Sequence, residues 1–133
     1  MNKRGFTLVE LVAIITLLAV ILMIVVPTVG TSIKNARENS YLKQIDLIEK
    51  AAKNFGVEND HLLPEFNSNQ IITIDFNTLY TSGYLKDKAP MNPKTEEGLT
   101  GCVKVSYNSD YNQYEYKYID NLVECDNYNI NNK

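Results

Sequence analysis

The sequence predicts an α+β fold in which one long N-terminal helix packs on a small antiparallel sheet. Two observations lead to this prediction. The chain has no charged residue from Leu11 to Ile33, and apolar residues then recur at helical spacing as far as Gly56. Two stretches nearer the C-terminus instead alternate apolar and polar residues, which is typical of strands.

The first part of the long helix, residues 6–30, has the length and composition of a membrane span. Its apolar run from Phe6 to Val26 contains 21 residues, which is about 31 Å of helix at about 1.5 Å per residue. That length matches the hydrocarbon core of a bilayer, which is about 30 Å thick. We expect Pro27 to kink the helix rather than end it, because a proline inside a helix costs about 3 kcal/mol.

Residues 31–56 are predicted to continue the same helix in amphipathic form. Their apolar residues recur at spacings of four, three, four and three, so they share one face of the helix. These residues are Tyr41, Ile45, Ile48, Ala52 and Phe55. Gly56 is a suitable C-terminal cap. The first half of the helix is therefore expected in lipid, and the second half is expected to cover the core of a head.

The remaining chain, residues 57–133, is predicted to form that globular head. Residues 57–72 are expected to be an irregular loop, and residues 89–98 are predicted to be another because of their prolines and polar side chains. Between the two loops, Asp75 is a suitable N-cap for a short helix, and Gly83 is expected to end it.

Two alternating segments after these loops predict an antiparallel hairpin. The polar sequence NSDYN between them supplies the turn, and we expect a sheet of up to three strands. The alternating apolar positions are Val103, Val105 and Tyr107 in the first segment and Tyr114, Tyr116 and Tyr118 in the second. The tail from Asp120 is polar and is expected to be irregular.

The head is acidic and contains both cysteines of the chain. From Val57 onward six Lys stand against twelve Asp or Glu, a net charge of −6. Because nucleic acid is bound mainly by neutralising its phosphates, no direct nucleic acid binding is expected. Cys102 and Cys125 lie far apart in the sequence. If the head is outside the cell, we expect a disulfide between them; two free thiols are the alternative.

No residue pattern indicates catalysis, a metal site or a cofactor. The sequence has no Cys-x-x-Cys or Cys/His cluster and no Gly-rich phosphate loop. The single histidine, His61, is expected at the surface, and no serine or cysteine has the partners of a catalytic triad. Four acidic side chains of the head have carboxylates of the kind that bind calcium. Their spacing fits no defined calcium-binding loop, so a solvated acidic surface is favoured. These side chains are Asp110, Asp120, Glu124 and Asp126.

One charged residue, Glu10, lies inside the apolar N-terminal run, where a carboxylate costs at least about 2.5 kcal/mol. Three interpretations of the segment leave this charge unexplained. A cleaved secretory signal would hold Glu10 in its apolar core and lacks an A-x-A-like site. An ordinary single-pass anchor, with Lys3 and Arg4 on the cytoplasmic side, gives Glu10 no role. A soluble core helix does not fit an uncharged stretch of 23 residues.

The sequence KRGFTLVEL resembles the prepilin signature of type IV pilins and of the pseudopilins of type II secretion and DNA-uptake machines. The resemblance extends over residues 3–30: a basic leader, Gly5, the sequence FTLVEL, an apolar run and Pro27. It implies that a bacterial prepilin peptidase cleaves after Gly5 on the cytoplasmic side. It also implies that the same enzyme N-methylates the new terminal residue, Phe6.

The resemblance further implies a role for Glu10 in assembly. Cleavage creates a cationic amine at Phe6, and in a filament the amine of one subunit can pair with Glu10 of its neighbour. Pairing removes most of the cost of the buried carboxylate only when the subunits stack in the correct axial register. The alternative is a tolerated carboxylate that pairs with lipid headgroups or with its own terminus.

The sequence therefore predicts a ladle-shaped, non-enzymatic pilin-like subunit in four parts. The parts are a leader (1–5), a transmembrane and filament-core helix (6–30), its amphipathic continuation (31–56) and a head (57–133). The implied partners are copies of itself or sister pilins, the prepilin peptidase, and the assembly platform with its ATPase.

The predicted location follows from the same resemblance. Before assembly the chain spans the cell membrane once, with its leader in the cytoplasm and its head outside. After assembly it lies in an extracellular pilus or in a secretion or competence pseudopilus, three machines that the sequence does not distinguish. The alternative function is a membrane-anchored monomeric protein whose head binds a ligand or a surface.

Overall fold

The computed structural model describes residues 5–132, so Lys3 and Arg4 of the predicted leader lie outside the described residues. Within this range the chain forms one long helix, two short helices and three strands. The helices are α1 (Leu8–Glu58), α2 (Phe76–Thr81) and α3 (Leu122–Asn127), and the strands are β1 (Ile71–Asp75), β2 (Cys102–Asn108) and β3 (Gln113–Ile119). A long apolar helix with a small antiparallel sheet confirms the predicted α+β class.

The chain divides into two compact units between Glu38 and Asn39. The first unit contains the apolar part of α1. The second contains the rest of α1, the sheet and the two short helices. The helical stretch from Asn39 to Glu58 therefore belongs to the same compact unit as the predicted head.

The three strands form one antiparallel sheet in the order β1-β2-β3. Val105 in the central strand lies opposite Ile72 on one side and Tyr116 on the other. β2 and β3 are the predicted hairpin, and their inward positions alternate as the sequence indicates. Val103 and Val105 are fully buried, whereas the tyrosines of β3 are partly buried against the same core.

The amphipathic stripe of α1 covers this core, as its spacing predicts. Ile48 and Ala52 are fully buried, and Phe55 is 5% exposed. Tyr41 and Ile45 pack against the core with part of their surface still exposed. Burying a large apolar side chain stabilises a fold by roughly 1.5–3 kcal/mol, so the stripe anchors this stretch of α1 to the sheet.

The expectation of an irregular loop over residues 57–72 is wrong in three places. α1 continues past the predicted cap, Gly56, as far as Glu58. A single 3₁₀ turn occupies Asp60–Leu62, and β1 begins at Ile71. Ile72, Thr73 and Ile74 are all buried, so β1 lacks the alternation that reveals a strand exposed on one face. A short apolar run of this kind does not distinguish a strand from a buried turn of helix.

The predicted short helix exists as α2, and Asp75 is its N-cap residue. The carboxylate does not accept a backbone hydrogen bond from the helix, however. It accepts instead from the hydroxyl of Thr78 and from Nδ2 of Asn131. The helix ends at Thr81 and Ser82 is its C-cap. Gly83 follows the cap with a positive φ of 85°, which glycine tolerates best.

The expectation of an irregular tail after Asp120 is also wrong. The tail forms α3 and a 3₁₀ turn at Ile130–Asn132. Asn121 caps α3, because its side-chain oxygen accepts hydrogen bonds from the backbone N–H groups of Val123 and Glu124. A helix of six residues is marginal by itself, so its stability depends on this cap and on contacts with the sheet.

Candidate functional site

The predicted processing site lies just before the first turn of α1. Gly5, Phe6 and Thr7 are not helical, and the helix begins at Leu8. All three residues are exposed, and Phe6 keeps 88% of its surface accessible. The peptide bond between Gly5 and Phe6 therefore lies in open, non-helical chain.

Thr7 and Glu10 form a capping box at this helix start. The backbone N–H of Glu10 donates to Thr7 Oγ1 at 3.2 Å, and the backbone N–H of Thr7 donates to Glu10 Oε2 at 3.0 Å. The reciprocal pair satisfies two of the donors that a helix N-terminus leaves open. Within the described chain, the carboxylate of Glu10 is thus bound to its own backbone near the processing site.

The helix that follows presents an apolar surface that no other residue in the range 5–132 covers. From Leu8 to Val29 every large aliphatic side chain is at least 43% exposed. This part of α1 is long and apolar enough to cross a membrane. Soluble monomers rarely expose a continuous apolar surface of this extent, and the surface fits a covering of lipid or of other helices.

The hydroxyl groups inside the apolar helix bond to their own backbone. Thr16 donates to the carbonyl of Val12. Near Pro27, Thr28 donates to Ile24 O, Thr31 to Pro27 O and Ser32 to Thr28 O at 3.0–3.2 Å. Such bonds remove the cost of placing free hydroxyls in an apolar medium. α1 continues through Pro27, and the kink at this residue stays a prediction.

In the second unit, Cys102 and Cys125 form the expected disulfide. The bond joins the start of β2 to α3, and both cysteines are buried. Thr73 of β1 adds a buried hydrogen bond from its hydroxyl to the carbonyl of Cys125 at 2.7 Å. Its backbone N–H donates to Tyr128 O at 2.9 Å. These contacts join the tail to the sheet by a covalent bond as well as by hydrogen bonds.

The acidic side chains of the tail and hairpin do not converge. Glu124 is bound to Lys104 by a 2.7 Å ion pair, whereas the backbone N–H of Asp110 donates to Asn108 Oδ1 in the hairpin turn. Among residues 5–132, no group of three or more His, Cys, Asp or Glu side chains could hold a metal ion. His61 lies in the exposed 3₁₀ turn, as expected for a surface histidine.

An aromatic cluster occupies the end of the hairpin. The ring of Phe66 lies 5.3 Å from that of Tyr107 and 5.9 Å from that of Tyr114, and the two tyrosine rings are 5.4 Å apart. Phe66 nevertheless remains 73% exposed. Tyr114 also donates its hydroxyl to Pro64 O at 2.6 Å. The cluster holds the loop before β1 against the hairpin and presents aromatic surface to solvent.

The three tyrosines of β3 have raised pKa values. Burial is the main cause of the raised pKa at Tyr114, Tyr116 and Tyr118. At Tyr84 the main cause of the raised pKa is the hydrogen bond that its hydroxyl donates to the Glu58 carboxylate. A raised pKa keeps these hydroxyls protonated to a higher pH than that of an ordinary tyrosine.

Comparison with known families agrees with the geometry of the N-terminus. Residues 1–26 match the family model described as the prokaryotic N-terminal methylation motif. The chain carries the type IV pilin/pseudopilin signature. This match confirms the resemblance predicted from KRGFTLVEL. It ends before Pro27, so it does not extend to the head. No curated protein and no solved structure matches the chain.

The pilin signature gives the N-terminal geometry a functional context. It supports a pilin-like precursor that prepilin peptidase cleaves and that pilin machinery assembles. The family is structural rather than enzymatic. Together with the exposed apolar helix, the signature fits a membrane-anchored precursor.

Sequence reasoning missed one residue of this site, Thr7. The sequence Thr7-Leu8-Val9-Glu10 has the Ser/Thr-x-x-Glu spacing of a capping box immediately before an apolar run. That spacing was a sufficient signal for the cap. The charge of Glu10 does not reveal the cap, whereas its position three residues after Thr7 does.

Proposed function

We propose that this chain is a bacterial type IV pilin-like structural subunit. Prepilin peptidase cleaves it after Gly5, and the mature chain assembles into a pilus or pseudopilus. One observation carries the proposal: the pilin signature at residues 1–26 includes the start of a helix whose large aliphatic side chains are all exposed from Leu8 to Val29. Lipid covers that surface before assembly, and the helices of neighbouring subunits cover it afterwards.

In this proposal Glu10 changes partner when the subunit is processed and assembled. In the described chain its carboxylate accepts the backbone N–H of Thr7. Cleavage after Gly5 converts the amide nitrogen of Phe6 into a cationic amine. In a filament, the amine of a neighbouring subunit is a stronger partner for Glu10 than a neutral N–H, because both groups are charged. The new pair requires neighbours in the correct axial register.

The location proposed for the subunit follows from the same membrane orientation. The leader lies in the cytoplasm, where the peptidase acts, and the head lies outside the cell. The disulfide between Cys102 and Cys125 supports this placement, because disulfides persist mainly in oxidising surroundings. The machinery partners are the prepilin peptidase, sister pilins, and the assembly platform with its ATPase.

Intact-mass measurement of the membrane-extracted protein tests the processing step. In cells with an active peptidase, the expected mass is that of residues 6–133, with one further methyl group if Phe6 is methylated. Gly5→Leu should block cleavage, because the family's peptidase accepts only a small residue there, whereas Gly30→Leu is a control outside the junction. A mass that still includes residues 1–5 would refute the proposal.

A second candidate is an anchored binding protein that forms no filament. The exposed ring of Phe66 in the aromatic cluster favours it, because aromatic rings at a surface often contact ligands. The neighbouring genes distinguish the two functions. Genes for a peptidase, an assembly ATPase and a polytopic platform protein beside this one would favour a filament.

A further inference from the structure

The backbone changes from open chain to helix within two residues of the proposed cleavage site. Thr7 is the residue at this boundary. Its carbonyl accepts the first helical hydrogen bond, from Leu11 N–H at 3.1 Å, and its hydroxyl accepts from Glu10 N–H at 3.2 Å. Thr7 is therefore the N-cap of α1, and the Gly5–Phe6 bond lies one residue outside the helix.

The cap hydroxyl competes directly with extension of the helix toward that bond. In an α-helix the N–H of each residue donates to the carbonyl four residues earlier. If α1 extended to include Phe6 and Thr7, the N–H of Glu10 would have to donate to Phe6 O. In the structure that N–H donates to Thr7 Oγ1 instead. The next step of extension would engage the carbonyl of Gly5, which is the carbonyl that cleavage attacks.

We propose that Thr7 is a positioning residue for prepilin processing: by capping α1, it keeps the Gly5–Phe6 bond in non-helical chain that the peptidase can bind. This role presupposes the cleavage after Gly5 proposed above. A protease pairs with the backbone on both sides of the bond that it cuts, so that backbone cannot also be engaged in a helix. Glu10 contributes through the reciprocal bond to Thr7 N–H.

Substitutions at position 7 separate capping from recognition of the side chain. Serine and glycine are good N-cap residues, whereas alanine is a poor one and costs about 1 kcal/mol. Thr7→Gly and Thr7→Ala differ by a single methyl group, and both remove the threonine hydroxyl. Capping predicts efficient cleavage for glycine and slow cleavage for alanine. Direct recognition of the threonine side chain predicts slow cleavage for both.

The experiment measures the rate of cleavage of the full-length chain in membranes by purified peptidase. Thr7→Ser and Thr7→Gly should be cleaved within about twofold of the wild-type rate, given their similar capping preference. Thr7→Ala should be cleaved roughly fivefold more slowly, the factor that corresponds to about 1 kcal/mol. Glu10→Gln should be cleaved at nearly the wild-type rate, because glutamine also completes a capping box.

A second measurement follows the helix start itself. In the detergent-solubilised full-length chain, the carbon chemical shifts of Phe6 should move toward helical values in Thr7→Ala and stay in place in Thr7→Gly. Equal cleavage of the alanine and glycine variants, or a Phe6 signal unchanged by alanine, overturns the role of Thr7. Failure of the wild-type chain to be cleaved after Gly5 would instead overturn the proposed function.

Discussion

The carboxylate of Glu49 in α1 accepts a hydrogen bond from the backbone N–H of Tyr118 in β3, with 2.9 Å between Oε1 and the nitrogen. β3 is the last strand in the sheet order, and an edge strand leaves every second N–H without a partner strand. Glu49 satisfies one of these donors from a position 69 residues away. The helix therefore holds the sheet edge by a polar contact as well as through the apolar core.

We expect Glu49→Ala to destabilise the second unit by about 1 kcal/mol, because it leaves the Tyr118 N–H without its acceptor. Glu49→Gln keeps an acceptor oxygen and should retain most of the stability. Asp46→Ala is the control, since Asp46 makes only an exposed pair with Lys50 in the same helix. Urea unfolding of the full-length chain in detergent, followed by tyrosine fluorescence, measures the three effects. Equal losses for alanine and glutamine would show that the acceptor oxygen contributes little.

Gly101 is the glycine whose replacement should be most damaging. Its φ is 119°, and a Cβ at this position would overlap the carbonyl oxygen of Ile119. We expect Gly101→Ala to cost more than about 2 kcal/mol, because backbone strain and a backbone clash act together. Gly83→Ala is the matched control: it has a φ of 85° but nothing within 4 Å of a new Cβ. Similar melting temperatures for the two variants would contradict the clash.

Reduction of the Cys102–Cys125 bond should destabilise the tail and the sheet together. The bond closes a loop whose ends are 23 residues apart, and the chain-entropy model assigns such a loop roughly 3 kcal/mol. The melting temperature should fall when reductant is added to the wild type and should be insensitive to reductant in the Cys102→Ala/Cys125→Ala double variant. Two reactive thiols per chain in the unreduced, denatured protein would disprove the bond.

The raised tyrosine pKa values predict a loss of stability at alkaline pH. In the unfolded chain tyrosine titrates at its ordinary pKa of 10.0, and in the folded chain Tyr116 and Tyr118 keep their protons to a higher pH. The folded state thus binds more protons above about pH 10, so stability is complete below that pH and falls as the pH rises through the folded values.

Tyr116→Phe should make this alkaline loss smaller, because it removes one of the shifted groups. Tyr111→Phe, which alters an exposed ring in the hairpin turn, is the control. Unfolding midpoints measured between pH 9 and pH 12 give the comparison, with tyrosinate absorbance recorded alongside. A wild-type midpoint that stays constant over this range would contradict the raised pKa values.

The elements that the sequence predicts correctly are those with a strong local pattern. The uncharged run and the four-three spacing around Ile48 and Phe55 predict α1, and the alternation around Val103 predicts the hairpin. β1 is difficult to predict because it has only five residues and its burial does not alternate: Thr73 is buried between two buried isoleucines although it is polar. Its partner strand and the tail, rather than its own sequence, place it in the sheet.

The long-range hydrogen bonds are beyond prediction from the sequence for a different reason. The hydrogen bond from Thr73 to Cys125 and the one from Tyr118 to Glu49 join residues 52 and 69 positions apart. No local pattern specifies such pairs, because they form only after strands and helix have packed. The capping box of Thr7 and Glu10 is the opposite case, because the sequence itself shows its Thr-x-x-Glu pattern.

The central claim is that the charge of Glu10 drives assembly through the amine of a neighbouring Phe6. The most direct measurement compares sheared extracellular filaments with membrane-held mature subunit for wild type, Glu10→Gln and Glu10→Ala. Both variants should insert into the membrane and be cleaved, and both should yield few filaments, with partial recovery in cells whose other subunits keep the glutamate.

Glu10→Gln tests the charge more directly than Glu10→Ala, because glutamine preserves the side-chain size and the helix cap. A normal filament yield from Glu10→Gln would show that the charge is merely tolerated, and loss of cleavage in that variant would show that Glu10 serves the peptidase instead.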